Sequence, residues 1–246
     1  MEFILLFFLG ATLGSFYHVV GYRMPIGENF INDRSRCPSC SKKLKFYELI
    51  PIVSYMLQWG KCRTCHSPIK PIYILSEILT GLLFLFPVWF YGIKGFTSGH
   101  IFIAWTFLSL LIIISVSDIY YQLILDKVLL AFGGMLMFLY IIYPQYSLVS
   151  GLIGAVFAFI ILYVIGLLGQ FLFKKEALGG GDIKLYAVIG FVLGISNTLL
   201  SLFLAAIFAL VFILVFVKDI NKPLSFGPFI ALASYICLFY GAFVVN

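Results

Sequence analysis

Long apolar stretches with almost no charge limit what this chain can fold into more than any other feature of it. They fall at residues 3–22, 72–93, 101–119, 128–143, 148–172, 184–195, 198–217 and 224–244. A bilayer's hydrocarbon core takes about 20 helical residues to cross, and most of these runs approach that length. The sixth is short. It either merges with the seventh into one long tilted helix or is set apart from it by the polar pair Ser196-Asn197. Only 11% of the residues are charged, against about 25% in soluble domains, so most of the surface is expected to face lipid. The expected fold is an all-α integral membrane protein with about eight transmembrane helices. The first run has no basic segment before it and no small-residue cleavage site after it, and is expected to be a retained span.

Charge sets the expected orientation. The segment 23–71 carries Arg23, Arg34, Arg36, Lys42, Lys43, Lys45, Lys61, Arg63 and Lys70. If this segment is cytoplasmic, alternation puts 120–127, 173–183 and 218–223 on the same side. Those loops hold Lys127, Lys174, Lys175, Lys218 and Lys222, while the opposite side receives only Lys94. That is the positive-inside pattern. Seven spans would place Lys218 and Lys222 outside, so eight fit better and both termini lie outside. The formal charge of +6 is then a topology signal, and nucleic acid is not an expected partner. Three regions result: a first helix over 1–23, a soluble loop over 24–71 and a membrane domain over 72–246. No internal repeat is evident.

The loop contains Cys37-Pro-Ser-Cys40 and, 21 residues later, Cys62-Arg-Thr-Cys65. Two CxxC hooks offer four thiolates in two tight turns, the pattern of a structural zinc site. Neighbouring Lys and Arg favour the thiolate form. The rival reading, two disulfides, conflicts with a reducing cytoplasmic location. Four protein ligands leave no open position, so such a metal shapes the loop and does not catalyse. His66 is expected to be an ordinary loop residue and Cys237 a packing residue.

Acidic residues are rare, so their places carry information. Asp118 ends the third run, Asp126 opens the fourth, Asp182 follows Gly179-Gly180-Gly181, and Glu77 lies about a turn into the second. Ionisable groups at such depths are costly and face partners or water-filled cavities. Two carboxylates brought close together share one proton, supplying a base for water and an acid for a leaving group. Asp118 and Asp182 are the expected catalytic pair. The glycines are expected to leave an unwound, side-chain-free backbone that an extended substrate can pair with. Asp126 has the simpler reading of a helix cap, and His18 that of a packing residue. A proton-coupled transporter and a non-enzymatic scaffold with a metal module are the rival functions.

Taken in order, the motifs resemble the type IV prepilin peptidase family, most closely its competence-type members. They are Gly14-Ser15-Phe16, Tyr22-Arg23-Met24-Pro25, Ser35-Arg36-Cys37-Pro38-Ser39-Cys40 and Ile50-Pro51-Ile52-Val53-Ser54-Tyr55. Gly60-Lys61-Cys62-Arg63-Thr64-Cys65, Glu77-Ile78-Leu79-Thr80, Asp118, Gly179-Gly180-Gly181-Asp182-Ile183-Lys184-Leu185 and Phe226-Gly227-Pro228-Phe229 complete the series. The resemblance implies a GxGD-type aspartic protease architecture in the cell membrane, with its active site at the cytoplasmic face. It implies removal of a basic leader, after a glycine, from type IV pilin-like or competence pseudopilin precursors. It further implies methylation of the new N-terminus from S-adenosylmethionine, with Asp118 and Asp182 as the catalytic pair. The Cys37, Cys40, Cys62 and Cys65 zinc loop and the cofactor-linked Glu77 are then associated with methylation. The chain departs from the family pattern at Ile124-Leu125-Asp126, where Ile-Pro-Asp or Ile-Pro-Asn is usual, at His18, where Asn is usual, and at Glu176-Ala177-Leu178-Gly179, where Glu-Gly-Met-Gly is usual.

Overall fold

A computed structural model describes residues 2–31, 33–92, 94–143, 147–174, 178–217 and 224–244. Lys175, Lys218 and Lys222, on which part of the loop-charge argument rests, and Glu176 and Ala177 of the glycine-rich motif lie outside the described residues. The described chain is helical, with only two isolated β-bridges. In lipid a spanning segment must satisfy every backbone polar group internally, and helices do so. The chain divides into two compact units, Met1–Gly95 and Phe96–Asn246.

The first unit holds α1 (Glu2–Arg23), the five-residue α2 (Val53–Leu57) and α3 (Ile72–Tyr91). Helices in lipid gain nothing from hiding apolar surface from one another, so they associate through close packing at small residues. The α1–α3 pair follows that rule. A Cβ on Gly10 would lie 2.7 Å from Phe84 and one on Gly14 2.6 Å from Thr80, so both positions require glycine. Partners descend along α3 as they rise along α1, down to His18 against Tyr73, so the helices are antiparallel.

Between them the cysteine segment forms two knuckles of one design. The Ser41 N–H donates to the Cys37 carbonyl and Leu44 to Ser35; 25 positions on, His66 donates to Cys62 and Ile69 to Gly60. The two β-bridges, Arg36 with Lys43 and Lys61 with Pro68, keep the same offset. Ser41 and His66 both take positive φ, at 57° and 55°. The loop therefore contains a repeat, and its two halves share the cysteines and the like pairs Arg36/Lys61, Ser39/Thr64 and Leu44/Ile69 at the same offset.

The short α4 (Lys94–Thr97) crosses the boundary between the units. The second unit holds α5 (His100–Tyr121), α6 (Asp126–Ile142), α7 (Leu148–Phe173), α8 (Gly180–Phe216) and α9 (Gly227–Val244). Helix α5 is its core, with Ile101, Phe107, Leu110, Leu111 and Ile114 fully enclosed. Among the described residues, five elements are long and apolar enough to cross a membrane: α1, α3, α5, α7 and α8. Each apolar run of the sequence falls on a helix.

Helix α8 spans two of those runs. The break is at Gly194, two residues before the expected Ser196-Asn197, where φ 70° and ψ −176° are open to glycine alone. Tyr186 lies beside Ser201, yet along a straight helix those residues would be about 22 Å apart. The chain therefore doubles back at Gly194. The Thr198 hydroxyl satisfies the Gly194 carbonyl there, as Ser and Thr do at breaks in membrane helices. Gly154 of α7 packs backbone to backbone on Gly190, fixing the first half of α8 against α7.

Candidate active site

The site is assembled at helix ends in the second unit. Asp118 stands in the last turn of α5 and is 7% exposed. The Ser117 hydroxyl donates to the Leu123 carbonyl, folding the α5–α6 connection back over the helix end. Two groups preceding or opening α9 hold Asp118. The Ser225 hydroxyl donates to its backbone carbonyl at 3.0 Å, and the Gly227 N–H donates to its Oδ2 at 2.7 Å. A carboxylate at a helix N-terminus meets both an unsatisfied N–H and the positive end of the helix dipole. A Cβ on Gly227 would sit 2.8 Å from that same oxygen, so the approach needs glycine.

Asp182 lies in the first turn of α8. Its N–H donates to the Gly179 carbonyl at 3.0 Å, and Gly179 itself is extended at φ −67°, ψ 138°. The glycine triplet is thus not wholly unwound. Only Gly179 lies outside the helix, while Gly180 and Gly181 form its first turn, where N–H groups need no intrahelical partner. A Cβ on Gly181 would fall 2.8 Å from Ile124, so this turn presses directly on the α5–α6 connection. That contact and the packing of α9 on both α5 and α8 bring Asp182 within electrostatic reach of Asp118.

Asp126 is engaged elsewhere. It opens α6 without a side-chain cap, and both its oxygens accept from the Lys184 ammonium at 2.8 and 2.9 Å in an exposed ion pair. Beside the turn of Asp182 lies a cavity of ≈ 170 Å³ between α7 and α8. Tyr163 and Gln170 line it from α7, Gly180 and Ile183 from α8, and a Cβ on Gly180 would meet nothing within 4 Å. Gly227 and Ser225 were not among the expected site residues. Gly227 stood in the sequence as part of Phe226-Gly227-Pro228-Phe229, but nothing in that motif says which acid it meets.

In the first unit, Cys37, Cys40, Cys62 and Cys65 converge, with all four sulfurs within 4.8 Å of one another. The 3.8 Å between the Cys37 and Cys65 sulfurs equals the edge of a tetrahedron with metal–sulfur bonds of about 2.3 Å. The cysteines are free thiols, not disulfides. The backbone N–H of Cys40 brings the Cys37 thiol down to about 6, with lesser help from the Ser39 N–H and the Ser67 hydroxyl. The same Ser67 hydroxyl lowers Cys65. The set fits a metal ion. Glu77, on α3, spends its carboxylate within the unit: its Oε2 accepts the Ile52 N–H at 2.8 Å, and the Ser15 hydroxyl bonds to it as well.

Fold and site define a helical membrane protein with two acids at helix ends and a cluster of four thiols. Residues 8–91 match the bacterial peptidase A24 N-terminal domain, and residues 105–214 match the type IV leader peptidase family. The chain is 37% identical over 98% of its length to a prepilin leader peptidase/N-methyltransferase of Bacillus subtilis, covering 96% of that protein. It is 30% identical to one from Pseudomonas aeruginosa (95% of this chain, 88% of that one) and 33% identical to one from Vibrio cholerae (78% of each). The chain belongs to the type IV leader peptidase family. No solved structure matches it.

Proposed function

We propose that this chain is a membrane aspartic endopeptidase that removes the leader from type IV prepilin-like precursors, and that it then methylates the new N-terminus. The observation that supports the first activity is the presence of two acids at neighbouring helix ends, Asp118 in the last turn of α5 and Asp182 in the first turn of α8, within electrostatic reach of one another. Peptide hydrolysis needs a base for water and an acid for the departing amine. Asp118, whose Oδ2 already accepts the Gly227 N–H, takes the water's proton; Asp182 gives its own to the leaving amine. Gly179, Gly180 and Gly181 present backbone to the substrate, with open space above Gly180 beside the cavity. A precursor whose apolar helix lies in the bilayer brings its cleavage site to the dyad already oriented.

With α8 counted as two spans meeting at Gly194, the protein crosses the cell membrane eight times, and both the dyad and residues 24–71 face the cytoplasm. Zn²⁺ is the metal that four thiolates favour, and Cys37, Cys40, Cys62 and Cys65 would hold it as a structural ion. Methyl transfer draws on S-adenosylmethionine. Glu77, the residue expected to meet that donor, has its carboxylate already engaged by Ile52 and Ser15.

The test is cleavage of a pilin-like precursor by wild type and by Asp118→Asn, Asp182→Asn and Asp126→Asn. The first two should each abolish cleavage. The third, which breaks only an exposed ion pair worth about 0–1 kcal/mol, should retain it. Continued cleavage by Asp118→Asn or Asp182→Asn would refute the dyad.

A further inference from the structure

The segment between the two knuckles turns on Ile52, in a conformation a β-branched residue rarely adopts. Its φ and ψ are 64° and −54°, and the Val53 N–H donates across it to the Pro51 carbonyl at 2.6 Å. This is the γ-turn of the strained, positive-φ hand. Such a backbone persists only where its surroundings over-determine it. Here a carboxylate from another helix holds the amide of the turn itself. The Ile52 N–H donates to Glu77 Oε2 at 2.8 Å, 25 positions along the chain, and the Ser15 hydroxyl bonds to the same side chain.

Each neighbour of that carboxylate is itself fixed. Ser15 follows Gly14, whose missing side chain lets α1 close on Thr80 of α3, the helix that carries Glu77. Pro51 is buried. From the turn, Met56 N–H reaches back to the Ile52 carbonyl as α2 forms, and Gly60 N–H to the Tyr55 carbonyl. The second knuckle starts there, with Ile69 N–H closing on the Gly60 carbonyl around Cys62 and Cys65. The direction the chain takes at Ile52 therefore sets where α2 and the second cysteine pair begin.

We propose that Glu77 is a positioning residue for methyl transfer. Its carboxylate holds the γ-turn at Ile52, and through that turn it sets the placement of α2 and the second knuckle; it does not contact the methyl donor. This rests on the reading of the first unit as the methyl-transferring half. It accounts for an acid at this depth without giving it a part in the chemistry, since its two partners belong to the chain itself.

The test compares wild type with Glu77→Ala, Glu77→Gln, Ile52→Gly and the double variant Glu77→Ala with Ile52→Gly, all as full-length protein in detergent. Mass spectrometry of a pilin-like product reads cleavage and N-terminal methylation separately, and amide exchange over residues 50–57 reads the turn. A strained turn released from the contact that holds it relaxes, so Glu77→Ala should lower methylation about tenfold or more, speed exchange over 50–57 and leave cleavage within about twofold. Glutamine keeps an oxygen that can accept the Ile52 N–H, so Glu77→Gln should fall much less. Glycine takes positive φ without strain, so the double variant should regain protection and most of the lost methylation.

Two results overturn the proposal. One is unchanged exchange over 50–57 in Glu77→Ala. The other is a double variant that regains protection yet methylates no better than Glu77→Ala, which would place the carboxylate on the donor. If the wild type transfers no methyl group, the reading of the first unit falls and the methyl-transfer role with it. The exchange comparison still decides whether Glu77 holds the turn.

Discussion

Replacing Gly227 by alanine separates the placement of Asp118 from its presence. The new Cβ would lie 2.8 Å from Asp118 Oδ2, 3.0 Å from its Cβ and 3.1 Å from its Cγ. Ordinary contact needs about 3.5 Å, so the carboxylate or the start of α9 must move by roughly half an ångström or more. Asp118 is short, buried and anchored through its own carbonyl by Ser225, so it has little room to swing away. The Gly227 N–H bond to Oδ2, at 2.7 Å, lengthens or breaks. A hydrogen bond to a charged group contributes about 1.5–3 kcal/mol, and a misplacement of about 1 Å at a reacting group can cost about a hundredfold. The expected loss is therefore about 10- to 100-fold in kcat for precursor cleavage. Alanine is the better helix former, so α9 itself should not suffer. The assay is single-turnover cleavage of a pilin-like precursor in detergent, with the Tm of each variant measured alongside. Gly134→Ala, with open space around its Cβ, is the control and should cleave normally. A Gly227→Ala enzyme that cleaves at the wild-type rate would refute the claim that this contact sets the carboxylate.

The glycines before Asp182 should divide by what lies beside them. Gly181→Ala, facing Ile124 at 2.8 Å, should lower both Tm and cleavage, whereas Gly180→Ala should keep the wild-type Tm, and any cleavage it loses measures substrate contact at the open side. Gly194→Ala meets no atom, so its cost is backbone strain alone, about 1–3 kcal/mol, read as a lower thermal or denaturant midpoint. Cys37→Ser or Cys62→Ser should reduce bound zinc from one per chain to near none by elemental analysis, and should impair methylation while leaving precursor cleavage largely intact. Retention of full zinc by both would rule out the four-thiol site.

Several parts of this arrangement were legible in the residues alone. The apolar runs located every long helix because lipid tolerates so few polar residues that helix ends announce themselves. For the same reason Asp118 and Asp182 stood out, since an acid inside such a chain has few bland explanations. The cysteine hooks were legible because each CxxC turn brings two sulfurs together, and the four sulfurs converge. Gly227 was not, because its role depends on α9 returning to the end of α5, a meeting more than a hundred positions apart in sequence. The reversal in α8 was sought at its most polar residues. It occurs at Gly194 because positive φ decides where a helix can double back, and the Thr198 hydroxyl supplies the lost backbone partner. The knuckle repeat is faint in the sequence because, beyond the cysteines, few side chains are alike between its halves, and its likeness is carried mainly by backbone hydrogen bonds.

Glycine does two different jobs in this protein, and physical chemistry separates them. Between α1 and α3, and between α7 and α8, it lets backbones touch where lipid offers no hydrophobic drive to associate. At Gly181 and Gly227 the same small size lets a helix start press on the end of α5 and its connection. A buried carboxylate is costly unless hydrogen-bonded. Bringing a second one alongside requires that the groups around both be placed by backbone, because a longer side chain would hold them apart. The close approach that builds the bundle thus also sets the surroundings of both acids, and the two uses diverge only in consequence. Loss at a helix–helix glycine should register first as stability, and loss at a helix-start glycine first as rate.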